Sequence, residues 1–249
     1  MELTKKISRI GLIGDVHAEH SRLSAALDWF SAQKVDALLC TGDIADGEGD
    51  INTSCQLLAE SNVHVVRGNH DRWLLAETYR NIPNAHVVKE VSRSSLDFLK
   101  SLDSFLEFET PLGRLLLCHG VGKNDLAKIW PGSPRRKEPE RSQELDDLLL
   151  ENKYTFLING HSHYRIIVDF PSLTLINAGT LVSRHRPGIS ILDFNTKRIK
   201  SFEFNETSIV GPVANCELLP GETRQIWKNT QAFDGSSQPF ALYDQLDID

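Results

Sequence analysis

Short β-branched apolar runs alternate with longer amphipathic stretches through the N-terminal part of the chain, the pattern left by strands joined through crossover helices. Residues 7–13 form the first run. Leu23, Ala26, Leu27 and Phe30 then recur at helical spacing within an expected helix over residues 21–33. Residues 35–40 read as the second strand, 54–61 as a helix and 63–66 as the third strand. Residues 96–102 read as a helical turn or two ahead of an apolar run at 105–108. This part of the chain is thereby confined to an α/β arrangement.

The texture changes from Gly113 onward. Residues 115–118, 156–158, 166–168, 173–176, 189–194 and 199–204 read mostly as short strands, so two layers of sheet are expected. Asn195 and Thr196 look like a tight turn that makes the last two runs an antiparallel pair. The fold class inferred is α/β, with two mixed sheets in a β-sandwich and helices on its outer faces. At 249 residues, 40% of them hydrophobic, the chain has apolar surface for a large core, and residues 1–205 are taken as a single domain. The stretch after Glu206 has weak periodicity and a Ser/Gln/Asp-rich end. It is expected as a C-terminal extension over 206–249, packed by Trp227 and frayed at its end. Residues 120–141 are polar, carry Pro131, Pro134 and Pro139, and read as a functional or flexible loop.

A formal charge of -7 argues against nucleic acid as a partner, other than as a small nucleotide substrate, because non-specific binding needs a broad positive field. No stretch approaches membrane-spanning length and no cleavable leader is evident, so a cytoplasmic protein without a membrane partner is expected. Cys40, Cys55, Cys118 and Cys216 are scattered without a CxxC pair, which gives no disulfide framework.

Five short motifs each follow an apolar run: Asp15-Val16-His17, Gly42-Asp43, Gly68-Asn69-His70-Asp71, His119-Gly120 and Gly160-His161-Ser162-His163. Singly, each is compatible with an ordinary turn. Gly-His-x-His adds only that a period of two sets both imidazoles on one face of a strand. Jointly they say more, because five of the nine histidines, His17, His70, His119, His161 and His163, stand right after apolar runs beside Asp, Asn or Gly. Loops at the carboxyl ends of strands converge in α/β sheets, so separate motifs can share one site. Carboxylate, amide and imidazole ligands without thiolate suit Mn²⁺, Fe, Ni²⁺, Co²⁺ or Zn²⁺ in an open site. His20, His64, His86 and His185 fall outside the motifs and are taken as ordinary surface or core histidines.

In this order the motifs resemble those of the calcineurin-like metallophosphoesterases, and the match spans Asp15 to about Thr180. The resemblance implies a four-layer α/β/β/α sandwich, two divalent metal ions with Mn²⁺ foremost, and a phosphate-ester substrate. It also implies the ligands: Asp15, His17 and His163 for the first metal, Asn69, His119 and His161 for the second, and Asp43 bridging both. Two such ions can share a water, lower its pKa towards neutrality and clamp the phosphoryl oxygens, which implies hydrolysis by metal-bridging hydroxide. His70, beside Asn69 but outside the ligand set, is the candidate proton donor to the leaving group. Asp46 has two readings. It matches an acid that orients the histidine in the protein-phosphatase branch and would raise its pKa, or it caps the helix near Asn52.

The run Gly42-Asp43-Ile44-Ala45-Asp46-Gly47 departs from that branch, where Arg follows the second Asp, so a planar donor for phosphate is missing at Gly47. Gly68-Asn69-His70-Asp71-Arg72, and Gly-His-Ser-His followed by Asn177-Ala178-Gly179-Thr180, more closely resemble the compact bacterial and archaeal phosphoesterases, which act on varied phosphomonoesters and phosphodiesters. Replacement donors are Arg67, Arg72, the cluster Arg135, Arg136 and Lys137, Arg184, and Arg186. Arg186 is favoured because it follows a strand end near the expected site, and the loop cluster is next. The alternative reading is a catalytically inactive scaffold or binding module of the same fold, although every ligand position and His70 are filled. A nuclease would need a basic groove or stacking aromatics, and neither is evident.

Overall fold

In the computed structural model, which describes residues 6–78, 80–133 and 138–243, the chain runs β1 (Arg9–Ile13), α1 (His20–Ser31), β2 (Ala37–Cys40), α2 (Ile51–Glu60), β3 (Val63–Val65), α3 (Asn69–Leu75) and α4 (Arg93–Ser101). It continues through β4 (Phe105–Thr110), β5 (Gly113–Cys118), α5 (Gln143–Glu151), β6 (Phe156–Asn159), β7 (Arg165–Asp169), β8 (Thr174–Ala178), β9 (Gly188–Asp193), β10 (Arg198–Asn205), β11 (Ser208–Glu217) and β12 (Phe240–Ala241). One sheet has the order β11-β10-β9-β1-β2-β3 and the other β12-β7-β8-β6-β5-β4. Both are mixed. β1, β2 and β3 are parallel and β9 to β11 antiparallel, while β5, β6 and β8 are parallel and their outer neighbours antiparallel.

Side chains alternate across each strand, and that alternation builds the layers. Ile13, Cys40, Ile189 and Ile191 of the first sheet meet Leu23, Leu27 and Phe30 of α1 and Cys55 and Leu58 of α2. Ile10, Leu12, Leu39 and Leu192 point the other way, onto Leu115, Leu117, Phe156, Ile158 and Ile176 of the second sheet. Leu116, Cys118, Leu157 and Leu175 face outward from the second sheet and are covered by Leu145 of α5 with Trp130, Trp227 and Phe233. The result is the four-layer α/β/β/α sandwich. Among the described residues no helix is long and apolar enough to cross a membrane.

Two helices escape a reading by apolar spacing. α3 opens inside the Gly68-Asn69-His70-Asp71 motif, with Asp71 three residues after Gly68 accepting the Gly68 N–H at 3.0 Å. α5 is short and acidic at its start, and Ser142 caps it by accepting the Leu145 N–H at 3.3 Å. α2 begins earlier than expected because Asp50 caps it, accepting the N–H groups of Asn52 at 2.8 Å and Thr53 at 3.1 Å.

The boundary expected at residue 206 falls in the turn between β10 and β11, and the segment beyond it is woven into both sheets as the edge strands β11 and β12. Residues 244–249 of the end expected to fray lie outside the described residues. Trp227 is buried edge-on against Phe233, and its backbone N–H donates to Asp169 O at 2.9 Å. Trp227→Ala should therefore leave a cavity in the outer core that costs about 3–5 kcal/mol. A fall in Tm of about 10 °C is expected in thermal unfolding.

Candidate metal centre

The carboxyl ends of β1, β2, β3, β5 and β6 meet where the two sheets touch. Asp15 is the pin: its N–H donates to Gly179 O at 3.0 Å, while its carbonyl accepts the Leu181 N–H at 2.9 Å and the Thr180 hydroxyl at 2.8 Å. Glycine at two of these ends is required by contact, because a Cβ at Gly68 would strike the Asp43 carboxylate and one at Gly160 the Asp15 carboxylate.

All seven expected ligands converge here. Asp15, His17 and His163 place one ligand atom each within 4.8 Å of one another, as do Asp43, His119 and His161. In the first group His17 Nε2 lies 3.0 Å from His163 Nε2, which is 3.4 Å from Asp15 Oδ2. In the second, His119 Nε2 lies 3.1 Å from Asp43 Oδ2 and 2.9 Å from Asn69 Oδ1. Asp43 Oδ2 is also 3.9 Å from His17 Nε2, so one carboxylate oxygen stands between the two groups. His70 closes against both, forming a third cluster with His17 and Asp43.

Backbone carbonyls decide which nitrogens face inward. His17 Nδ1 donates to Asp46 O at 2.8 Å and His119 Nδ1 to Thr41 O at 2.7 Å. A carbonyl oxygen only accepts, so each ring as a neutral imidazole turns the bare Nε2 to the interior. With both rings neutral, the Asn69 amide oxygen, which points at His119 Nε2 and at His161 Nδ1, 2.8 Å away, faces acceptors only. Lone pairs converging without a hydrogen between them are costly when buried. A divalent cation at their common point removes that cost, and the oxygen and imidazole donors fit one. Without an ion, turning the Asn69 amide over lets its NH₂ donate to both rings.

The charges tell the same story. Asp15, Asp43 and Asp71 are all buried within one cluster. Burial, set against His119 and reinforced by Asp43, pushes Asp15 up to about 7, and burial with Asp43 pushes Asp71 up to about 6. Asp43 falls below the usual carboxylate range, since His119, His17 and His70 together outweigh the burial that would raise it. His119 is pushed up to about 10, with Asp43 and Asp15 overcoming its burial. With no cation bound, His119 Nε2 therefore carries a hydrogen towards Asp43, and metal binding should release it.

Around the ligands, Asp71 accepts the N–H groups of Ile44 at 2.8 Å and Ala45 at 2.9 Å, which locks the turn after Asp43 onto α3. Asp46 accepts from His70 Nδ1 at 2.8 Å, Arg80 Nε at 2.6 Å and the His86 N–H at 2.8 Å, and takes no part in the α2 cap. Arg80, His86 and Asp71 had no assigned place at the site from sequence. Gly47 packs so tightly on the His17 carbonyl that any side chain there would collide with it.

His161 and His163 do not share a strand face. β6 ends at Asn159, and both residues sit at left-handed φ, 66° and 64°, which sends one ring to each group. His17, Asp43 and Asp46 are left-handed too, at 45°, 45° and 64°. Arg186 holds its guanidinium 5.2 Å above the Tyr243 ring, and Arg72 is paired with Asp125 at 2.6 and 2.8 Å. Arg135, Arg136 and Lys137 lie outside the described residues.

Known proteins carry the same outline. The family described as calcineurin-like phosphoesterase matches residues 8–165. The uncharacterized protein MJ0912 of Methanocaldococcus jannaschii is 25% identical over 205 residues, covering 74% of this chain and 79% of that one. Among solved structures, PH1004 of Pyrococcus horikoshii superposes with a TM-score of 0.61 at 16% identity, over 78% of this chain and 87% of that one. A protein described as a novel archaeal phosphodiesterase superposes with a TM-score of 0.50 at 17% identity, over 79% and 99%.

Proposed function

The chain belongs to the calcineurin-like phosphoesterases, and from that premise we propose that it hydrolyses a phosphate ester at a centre of two divalent metal ions. Asp15, His17 and His163 would hold one ion, Asn69, His119 and His161 the other, and Asp43 both. The observation that carries this is the position of Asp43 Oδ2 between two trios of inward-facing donors. When bound, the two ions lower the pKa of a shared water and polarise the phosphoryl oxygens, with Mn²⁺ the first choice among Mn²⁺, Fe, Ni²⁺, Co²⁺ and Zn²⁺.

The chain's own residues orient and protonate. The Asp15 carboxylate is aimed by the Thr41 hydroxyl at 2.7 Å and the His161 N–H at 2.7 Å, and Asp43 Oδ1 by the His70 N–H at 2.8 Å. His70 Nδ1 is committed to Asp46, so Nε2 is the nitrogen free to hand a proton to the leaving oxygen. Burial alone would lower the His70 pKa, but the bond from Asp46 and the charges of Asp43, Asp46 and Asp71 together raise it and favour the proton-loaded form.

The test is a rate comparison on an aryl phosphomonoester, a bis-aryl phosphodiester, a dinucleoside polyphosphate and a phosphopeptide, using chelator-stripped protein reloaded with each metal in turn. Turnover on at least one should appear only after reloading. Ions at about 1,000 times Kd would stabilise by roughly 4 kcal/mol per site, so stripping should lower Tm by roughly 10 °C or more. Metal loading that shifts Tm without turnover on any ester would favour the inactive binding module. Full turnover after stripping would sink the two-metal reading.

A further inference from the structure

His185 follows no apolar run and belongs to no motif, yet its Nδ1 lies 2.7 Å from Nδ1 of His163, with the rings 4.9 Å apart and inclined at 49°. Two facing Nδ1 atoms at that distance need a hydrogen between them, so one ring donates and the other accepts. The other side of His163 decides which. Its Nε2 points at His17 Nε2, 3.0 Å away, and at Asp15 Oδ2, 3.4 Å away, where a lone pair is wanted if the ring is to hold an ion. With Nε2 bare, the His163 hydrogen sits on Nδ1 and is donated to His185.

His17 and His119 give their Nδ1 hydrogens to backbone carbonyls, as described above. For His163 the structure offers a side chain instead. That side chain is carried on a short 3-10 turn, Ser183–His185, fastened at both ends: the Val182 N–H donates to Thr180 Oγ1 at 3.1 Å, and Arg165 Nη1 donates to the Arg186 carbonyl at 2.9 Å. Arg165 is itself buried and held by Glu203 at 2.9 Å. The turn thus presents His185 at a defined distance, although the side chain is exposed.

We propose that His185 is a positioning residue of the first ion site, accepting the His163 Nδ1 hydrogen so that Nε2 is held bare and aimed at Asp15 and His17. The assignment rests on the two-metal reading above. Loss of such a partner behind a metal-ligating histidine typically costs 10- to 100-fold in metal affinity. Asparagine is the informative rescue, because its amide oxygen can occupy nearly the place of the imidazole Nδ1 and accept the same hydrogen.

Stripped full-length chain, His185→Ala and His185→Asn are titrated with Mn²⁺ in competition with a chelating dye, and the Tm of each stripped protein is recorded. The parent should bind two ions. His185→Ala should bind one as the parent does and the other about 10- to 100-fold more weakly, with the stripped Tm unchanged, and His185→Asn should recover most of the loss. Parent-like binding of both ions by His185→Ala would overturn the assignment, and so would an Asn variant no better than Ala or an equal loss at both sites with a lowered stripped Tm. A parent chain that binds no Mn²⁺ would overturn the two-metal reading and this assignment with it, a result visible in the parent alone.

Discussion

Asp43→Asn is expected to lower turnover by about 10³-fold or more and to leave the chain unable to hold two ions at once. In the proposed arrangement Asp43 Oδ2 serves both trios, 3.1 Å from His119 Nε2 and 3.9 Å from His17 Nε2, while Oδ1 is occupied by the His70 N–H at 2.8 Å. Asparagine keeps the shape and one oxygen but removes the charge that two neighbouring dications would share. Several kcal/mol of electrostatic stabilisation is at stake, and each 1.36 kcal/mol is tenfold in rate. The substitution also removes the anion that does most to hold His119 up to about 10. In the stripped parent, His119 contributes stability that is full below its ordinary pKa and disappears as pH rises towards 10. That contribution should shrink in the variant. Metal content by elemental analysis, initial rates under saturating Mn²⁺ and Tm against pH measure all three. An Asp43→Asn chain with two bound ions and a rate within tenfold of the parent would refute the shared-ligand role.

The strand-end residues could be read because their signal is local and repeated. β1 and β2 are apolar on both faces, since helices cover one side and the second sheet the other, so they stand out as continuous runs. A functional residue directly after such a run is marked by its place. β11 carries no comparable mark, being an edge strand exposed over much of its length. Backbone sign is equally invisible: nothing in Gly160-His161-Ser162-His163 announces that both histidines turn left-handed and part company.

The supporting residues were hidden for another reason. Arg80 and His86 reach Asp46 across 34 and 40 residues of chain, and His185 reaches His163 across 22, distances at which no periodicity links one residue to another. Asp71 was within reach, since an acid three residues after a glycine that opens a helix is a capping signal. Asp46 had two readings from sequence, and the structure removes the capping one because Asp50 holds the α2 N-terminus. Gly47, met first as a missing arginine, proves to be a steric requirement. The guanidinium that does reach Asp46 comes from Arg80, and it is bound to that carboxylate at 2.6 and 2.9 Å.

His70→Ala is expected to retain both ions and to lose about 10²- to 10⁴-fold in kcat on an ester with a poor leaving group, with a much smaller loss on an aryl ester. An aryl oxide departs without a proton, whereas an alkoxide needs one, so the difference between the two substrates isolates proton donation from any general damage. The pH profile supplies the second check. Asp46 is kept ionised, since His70, Arg80 and His86 together outweigh the burial that would raise its pKa, and it in turn helps raise His70. A donor works below its pKa and fails above it, so a raised pKa moves the alkaline limb of kcat upward. Asp46→Asn removes that support while leaving the ions in place, and the limb should shift to lower pH on the poor leaving group and hardly at all on the good one. Arg80→Ala should move it the opposite way, because Asp46 relieved of the guanidinium presents a less neutralised charge to His70. Equal losses on both substrates in His70→Ala, or an alkaline limb that ignores both second-site changes, would assign the proton to another group.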